Sequence, residues 1–183
     1  MDEDGAPQEL RHAVELTALL SWLAELWSSP TYQASILAAI GADVGVTEGR
    51  VLWHLGQYGP LRPTMLAERL EIGVPSISKA AAKLRRRGLV ADRSPAGDQR
   101  VRLLYLTPSG RVTVARMYQV GDAAVRGILA GWEPAEAERF TVAMRTFVGA
   151  VSDYAARLRS RAGLAPGDDR PTPRPRTADS DAT

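Results

Sequence analysis

The stretch from Pro63 to Thr107 constrains the fold most, because it changes in a fixed order from helical to strand periodicity. Its first segment, Thr64 to Glu71, brings Leu66, Ala67 and Leu70 onto one face at helical spacing. A threonine can cap a helix with its hydroxyl group, so Thr64 is the expected N-cap. The segment is predicted to be a short amphipathic helix.

Gly73 and Val74 then interrupt the pattern. A second helix is expected to begin at Pro75, because a proline in the first helical turn loses no helical hydrogen bond. Gly88 should end this helix, since glycine is usual at the left-handed residue that follows one. The residues expected to face inward are Ile77, Ala81, Leu84 and Leu89, and those left for solvent or a ligand are Ser76, Ser78, Lys79, Lys83, Arg86 and Arg87.

Two short segments of strand character follow the second helix. They run from Leu89 to Arg93 and from Arg102 to Thr107, around a turn at Ser94 to Asp98. Helix, turn, helix and basic hairpin in this order indicate a winged helix-turn-helix. The predicted fold class is therefore mainly α, an α+β winged helix flanked by further helices.

Positive charge is concentrated in the same stretch. From Arg62 to Arg111 the sequence has eleven lysines and arginines against Glu68, Glu71, Asp92 and Asp98, a balance of +7, whereas the whole chain carries +2. An arginine-rich helix end such as Arg85 to Arg87 is also explained as a solvated face favoured by the helix dipole. Because the hairpin is basic too, the combined surface favours DNA as the ligand.

Five pieces of the sequence carry a family resemblance. They are Leu66-Ala-Glu-Arg-Leu70, Pro75-Ser-Ile-Ser78, Leu84-x-x-x-Gly88-Leu89-Val90, Asp98-x-Arg100 and Leu106-Thr107-x-x-Gly110. In order and spacing they resemble the MarR family of bacterial transcriptional regulators, and the resemblance covers roughly residues 10–154. One residue departs from it, since family members often have serine or threonine as the cap of the second helix and this chain has Gly73.

The resemblance implies that the second helix enters the major groove of double-stranded DNA and that the hairpin, or wing, enters the minor groove. The predicted DNA contacts on the helix are Pro75, Ser76, Ser78, Lys79 and Lys83, with Arg86 and Arg87 on phosphates. In the wing, Arg100 is assigned to the minor groove and Asp98 to orienting a neighbouring arginine. Arg93 and Arg102 are assigned to phosphates.

Helices are also predicted on both sides of this unit. Before it, apolar spacing predicts helices from Leu10 to Trp27 and from Thr31 to Ile40, and a third capped by Thr47. The third should bury Val51, Leu52 and Leu55. After the wing, a long helix opened by Pro108 should bury Val112, Ala115, Met117 or Tyr118, Val125, and Ile128 to Leu129.

The last predicted helix, Ala135 to Arg159, carries an apolar stripe at near-heptad spacing. The stripe consists of Phe140, Met144, Phe147, Val148, Val151, Tyr154 or Ala155, and Leu158. Such a stripe needs a partner surface, either in the core of the same chain or on a second subunit. The resemblance implies the second, because the N- and C-terminal helices of MarR subunits interdigitate into a homodimer.

Five further side chains suggest a ligand pocket. Trp22, Trp27, Trp53, His54 and Tyr58 lie on helices expected to meet between the dimer module and the DNA module. Aromatic groups with one polar tip suit a small planar effector that releases the protein from DNA. The alternative is that they are ordinary core residues.

Composition and motifs exclude several other functions. Without cysteine the chain has no disulfide or thiolate metal site, and its two histidines are too far apart in sequence to suggest zinc. The sequence has no glycine-rich phosphate loop and no nucleophile motif, so we expect no catalysis, cofactor or metal. The start lacks the basic residues of a signal peptide, and Glu15 and Glu25 break the apolar stretch from Ala13 to Trp27. We therefore expect a cytoplasmic protein without a membrane partner.

The expected organisation has five parts. They are a flexible N-terminus (1–9), N-terminal dimerisation helices (10–45), a winged helix-turn-helix DNA-binding domain (46–110), C-terminal dimerisation helices (111–160) and a disordered, proline-rich tail (161–183). The expected function is sequence-specific regulation of transcription, as a homodimeric repressor on an inverted repeat. The alternative is a winged-helix module that binds proteins and has no specific DNA site.

Overall fold

The computed structural model describes residues 8–94 and 102–163. Its elements, in chain order, are α1 (Gln8–Ser28), α2 (Pro30–Ala39), α3 (Val46–Tyr58), α4 (Pro63–Leu70), α5 (Val74–Arg86), β1 (Val90–Arg93), β2 (Leu103–Leu106), α6 (Pro108–Leu129) and α7 (Pro134–Arg161). Within these ranges no helix combines the length and apolar character needed to cross a membrane.

The winged helix-turn-helix predicted from the sequence is confirmed. α3, α4 and α5 pack around one core, and β1 and β2 close it as an antiparallel hairpin in which Val90 pairs with Leu106 and Arg93 with Leu103. The largest fully buried side chains are Leu52, Leu66, Leu70, Ile77, Leu84, Leu104 and Val51. Leu61 and Leu104 also exchange backbone hydrogen bonds of 3.1 and 2.8 Å, so the segment between α3 and α4 is fixed to the wing.

α5, hereafter the recognition helix, follows the predicted pattern closely. It begins at Val74, one residue earlier than expected, and its N-cap Gly73 makes no side-chain capping bond. Ile77, Ala81 and Leu84 are buried as predicted; Ala80 is buried as well, and Leu89 is half-buried against the core. Gly88 follows the helix with φ 67°, the left-handed conformation expected of it.

Two predicted N-caps are wrong. Thr64 lies inside α4, because Pro63 takes the first helical position. Thr47 lies inside α3, whose N-cap is Gly45. There the Glu48 carboxylate accepts a hydrogen bond from the Gly45 N–H, and a Cβ at position 45 would collide with that carboxylate. The start of α3 is therefore capped from its third residue, as in one half of a capping box.

Thr107 joins the wing to α6. As the N-cap of α6, its Oγ1 accepts a hydrogen bond from the Gly110 N–H at 3.1 Å. The same hydroxyl donates to the Gly88 carbonyl at 2.6 Å, and the Thr107 N–H donates to the Leu89 carbonyl at 3.1 Å. A Cβ on Gly110 would press into that Leu89 oxygen. The spacing Thr107-x-x-Gly110 therefore brings α6 directly against the end of the recognition helix.

Most of the residues predicted to be buried along α6 are not. Val112, Val125 and Ile128 are 53%, 54% and 69% exposed. The buried apolar side chains of α6 are Val114 and Met117, the second being one of the two alternatives expected at that turn. Val114 packs on α3 at Gly56, where a Cβ would lie only 2.6 Å from it. Contact with α3 thus selects a different face from the one that periodicity suggested.

The outer helices expose much apolar surface. Phe140, Phe147, Val148, Val151, Tyr154 and Leu158 of α7 are 37–56% exposed, and α7 has no buried residue. On α1, Leu16, Leu19, Leu20, Trp22, Leu26 and Trp27 are 37–62% exposed. The described part of the chain therefore leaves the predicted stripe uncovered, and a core formed by the described residues does not account for it.

The helical part of the chain extends slightly further at both ends than the sequence predicted. α1 begins at Gln8 and α7 ends at Arg161, so both helices extend into the segments predicted to lack structure. The remaining parts of the predicted flexible N-terminus and disordered tail, residues 1–7 and 164–183, lie outside the described residues.

Candidate nucleic-acid interface

The N-terminal half of the recognition helix presents an exposed polar face. Pro75, Ser76, Ser78 and Lys79 are all exposed, whereas Ile77 between them is fully buried. Lys79 has no ion-pair or hydrogen-bond partner within the described ranges. Its ammonium group and the two serine hydroxyls are thus available to an external ligand.

Lys83, one turn further along the same helix, is engaged differently. Its Nζ lies 2.8 Å from Oε1 of Glu48, and the two side chains are 42% and 6% exposed. Burial raises the pKa of the Glu48 carboxyl, but hydrogen bonds from Lys83 and from the backbone of Glu48 and Gly45, together with the Lys83 charge, outweigh it and hold that pKa below 4.5. An ionised carboxylate at the start of α3 therefore holds the last turn of the recognition helix.

Three arginines end the recognition helix, and two of them are paired. Arg85 Nε and Nη2 lie 2.6 and 2.8 Å from the two carboxylate oxygens of Asp92 in β1, a forked geometry that fixes both groups. Arg87 Nη2 lies 3.0 Å from Asp43, whose side chain is 98% exposed. Arg86 is exposed and has no such partner in the described part of the chain. Of the two predicted phosphate contacts here, Arg86 is free and Arg87 is shared with Asp43.

The base of the wing is basic as well. Arg93 is exposed at the end of β1, with its guanidinium 5.7 Å from the centre of the Tyr105 ring. Arg102 is exposed immediately before β2. Asp98 and Arg100, the residues predicted to orient the wing and to enter the minor groove, lie outside the described residues. The observed wing therefore provides two of the four predicted side chains.

The five aromatic residues of the predicted effector pocket are not all brought together. Trp53 is half-buried against Tyr118, with ring centres 4.6 Å apart. His54 and Tyr58 are 5.9 Å apart, and Arg69 lies 4.0 Å above the Tyr58 ring. Trp22 and Trp27 are 62% and 56% exposed on α1.

His54 is held in a defined state. Its Nδ1 lies 3.0 Å from the Arg50 carbonyl, so this nitrogen carries the hydrogen. Burial lowers the pKa of His54 below 6.5, and the charges of Arg50 and Arg69 lower it further against that hydrogen bond. The side chain is therefore neutral at physiological pH.

Two surface cavities lie away from these aromatic residues. One of about 240 Å³ is lined by Gly45, Lys83, Arg86 and Arg87. Another of about 360 Å³ is lined by Ile40, Gly41, Ala42, Asp43, Val44, Arg87, Leu89, Thr113 and Arg116. Neither is lined by the aromatic residues proposed for an effector.

Sequence reasoning missed three acidic residues that organise this surface. Glu48 is recognisable in part, because a glutamate three residues after an N-cap is the signature of a capping box. Its pairing with Lys83, and the pairs made by Asp43 and Asp92, depend on tertiary packing and leave no local signal. Among the described side chains, no group of three or more histidine or acidic residues could hold a metal ion.

A helix-turn-helix closed by a two-stranded wing, with an exposed polar face on its second helix, defines the winged helix-turn-helix class. Residues 42–101 match the model of the MarR family. No curated protein matches the chain.

Solved structures share the fold over most of the chain. It is similar to a MarR family protein from Bacillus stearothermophilus (19% identity, 80% of this chain and 99% of that one, TM-score 0.65). It is also similar to the transcriptional regulator Tm0710 from Thermotoga maritima (13% identity, 81% of this chain and 97% of that one, TM-score 0.58). A third similar structure is MepR, a transcription regulator of the Staphylococcus aureus multidrug efflux pump MepA (20% identity, 72% of this chain and 97% of that one, TM-score 0.54). The MarR resemblance seen in the sequence is thus found again over residues 42–101, and the solved structures share the fold.

Proposed function

We propose that this chain is a sequence-specific DNA-binding regulator that represses transcription as a homodimer on an inverted repeat. The recognition helix lies in the major groove, where Ser76, Ser78 and Lys79 reach base edges and flanking phosphates. The wing enters the adjacent minor groove through Arg100. Arg86 and the wing arginines 93 and 102 contact phosphates.

The observation that carries this proposal is the contrast between the two faces of the recognition helix. Ile77, Ala81 and Leu84 are 0–1% exposed and fix the helix in the core. The opposite face offers, at its N-terminal half, hydroxyl groups and an ammonium group that has no partner among the described residues. A rigid helix with such a face is what helix-turn-helix proteins insert into the major groove. MepR, one of the structures with this fold, is itself a transcription regulator.

The homodimer is supported by the exposed apolar surfaces of α1 and α7. Soluble monomers rarely expose contiguous apolar patches of more than a few hundred Å², and a second copy of the chain would cover them. A two-fold axis between two winged units requires half-sites in inverted orientation, with centres about 10 bp or a multiple of this apart. A homodimer formed through the apolar helices would therefore bind an operator made of two inverted half-sites.

The test is selection of bound fragments from a random pool of duplex DNA by the full-length protein. We expect one inverted repeat to be enriched and its affinity to fall steeply with salt. Lys79→Ala should lose ~1–3 kcal/mol per half-site and relax the preference at one position. Arg139→Ala removes the same charge from an exposed site on α7 and should leave that preference unchanged. If the protein shows no salt-dependent binding to duplex DNA, it is a protein-interaction module instead.

A small aromatic effector is proposed as a second feature of the same regulator. It is supported by the half-buried rings of Trp53, His54 and Tyr58 and by the cation of Arg69 beside them. We expect the small-molecule fraction of a cell extract to release the selected DNA, and Tyr58→Leu to abolish that release without changing DNA affinity in its absence. An extract that releases the wild type and this variant equally would exclude this cluster as the effector site.

A further inference from the structure

We propose that Glu48 is a positioning residue for DNA binding. It holds Lys83, and through Lys83 the recognition helix, in the orientation that reads DNA. Lys83 then affects DNA affinity through the placement of the helix and not through contact with a phosphate. This inference rests on the DNA-binding function proposed above.

Glu48 is itself fixed at the start of α3. It is 4% exposed, and its carboxylate accepts hydrogen bonds from the backbone N–H groups of Gly45 and Glu48 as well as from Lys83. The adjacent Gly49 is pressed against α2, where a Cβ would lie 2.9 Å from Leu37. The carboxylate therefore belongs to a rigid junction of α2 and α3, at the positive end of the α3 dipole.

Lys83 supplies the recognition helix with a polar anchor on a different side from its apolar one. The apolar face packs through Ile77, Ala81 and Leu84, whereas Lys83 reaches out to Glu48 at 2.8 Å. Two anchors on different sides restrict rotation of a helix about its own axis. Ser76 lies seven residues before Lys83, about 10 Å along the helix, so a tilt at Lys83 displaces the residues proposed to meet the bases.

The rival role for Lys83 is the direct DNA contact that the sequence suggested. The two roles predict opposite effects of removing the Glu48 charge. If Lys83 touches a phosphate, Glu48→Gln frees its ammonium group and affinity stays the same or rises. If Glu48 positions the helix, the same variant weakens specific binding.

The experiment is a double-variant cycle in the full-length protein on the selected operator. Its variants are Glu48→Gln, Lys83→Met and the double variant, with affinity measured at several salt concentrations. Methionine keeps the length of the lysine stem. Glu68→Gln removes one exposed carboxylate from α4 and controls for the change in net charge, while Lys79→Met is the matched lysine proposed to touch DNA.

We expect each single variant to lose roughly ten-fold in operator affinity and the double variant to lose no more, the behaviour of a contacting pair. The salt slope should stay unchanged for Lys83→Met but fall by about one per subunit for Lys79→Met. Two results overturn the proposal: tighter or equal binding by Glu48→Gln relative to Glu68→Gln, or a reduced salt slope for Lys83→Met. If Glu48→Gln and Lys83→Met lower the melting temperature but leave operator affinity unchanged, the proposal is also wrong, and Glu48 contributes to stability alone.

Amide hydrogen exchange in the free protein provides a readout that does not depend on DNA. Glu48→Gln and Lys83→Met should each accelerate exchange along residues 74–86 several-fold, and Glu68→Gln should not. If exchange there is unchanged, the anchor is absent, whatever the protein binds. If exchange changes as expected and the wild type binds no duplex DNA, the proposed function fails while the anchor of the helix stands.

Discussion

Replacing Gly110 with alanine should loosen the joint between the wing and α6. Gly110 is the third residue of α6, and its N–H donates to the Thr107 hydroxyl at 3.1 Å. A Cβ at this position would press into the carbonyl oxygen of Leu89, which already accepts a hydrogen bond from the Thr107 N–H. The obstacle is backbone rather than a flexible side chain, so either α6 or the end of the recognition helix must move.

The expected cost follows from these contacts. Overpacking typically costs ~1–3 kcal/mol, and weakening the two Thr107 hydrogen bonds adds ~0.5–1.5 kcal/mol each. Alanine recovers about 0.5–1 kcal/mol through its higher helix propensity. The net loss of ~1–5.5 kcal/mol should lower the melting temperature by roughly 2–22 °C in a protein of this size.

Gly127→Ala in the same helix is the matched control. Nothing lies within 4 Å of a Cβ built there, so only the propensity gain of about 0.5–1 kcal/mol applies and the melting temperature should rise slightly. Both variants are compared with the wild type by circular dichroism at one protein concentration, since assembly affects melting. If Gly110→Ala melts at or above the wild-type temperature, the Leu89 carbonyl moves freely and the joint is not rigid.

Four further outcomes are expected. Phe147→Asp puts a charge into the apolar stripe of α7, where Phe147 is 37% exposed in one chain; it should cost about 3–5 kcal/mol of dimer stability, and light scattering that still detects a folded dimer would contradict this use of α7. The pKa of the Glu48 carboxyl in the folded state is below its ordinary value of 4.5. The stability that this carboxylate contributes is therefore complete above its unfolded-state pKa and is lost as the pH falls through its folded-state pKa. The melting-temperature advantage of wild type over Glu48→Gln should thus shrink on acidification from about pH 7 to about pH 3. Deleting residues 166–183 should leave melting and dimerisation unchanged, since that segment has almost no large apolar side chain; a clear drop in melting temperature would refute this. Arg100→Ala should weaken binding most on operators with A·T-rich flanks, because guanidinium groups favour narrow minor grooves; equal losses on G·C-rich flanks would make the wing a plain electrostatic contact.

The order of elements in the winged unit was predictable because each has a local cause. Pro75 and Gly88 mark the ends of the recognition helix, and the alternation of buried and exposed residues between them follows the helical period. The caps of α3 and α4 were not predictable from the presence of threonine alone. Pro63 takes the first position of α4, and the Glu48 carboxylate satisfies the start of α3.

Burial along α6 shows where periodicity stops being informative. Apolar residues occur on more than one face of this helix, and tertiary contacts such as that of Val114 with Gly56 decide which face meets α3. The ion pairs of the candidate interface are likewise invisible in the sequence, since 35 positions separate Glu48 from Lys83 and 44 separate Asp43 from Arg87. The exposed residues of the site could therefore be predicted from the sequence, whereas the ion pairs of Lys83 and Arg87 could not.

The internal ion pairs of the recognition helix also affect how the proposed encounter with DNA would begin. Each paired cation, on Lys83, Arg85 and Arg87, forms a local dipole with its carboxylate, and the field of a dipole fades much faster than that of a single charge. Within a Debye length of ~8–10 Å, attraction of phosphates by the recognition helix itself falls mainly to Lys79 and Arg86, which have no ion-pair partner among the described residues and lie at the two ends of one exposed helical face. Diffusional encounters are therefore expected to be oriented with that face towards the duplex before any base is read.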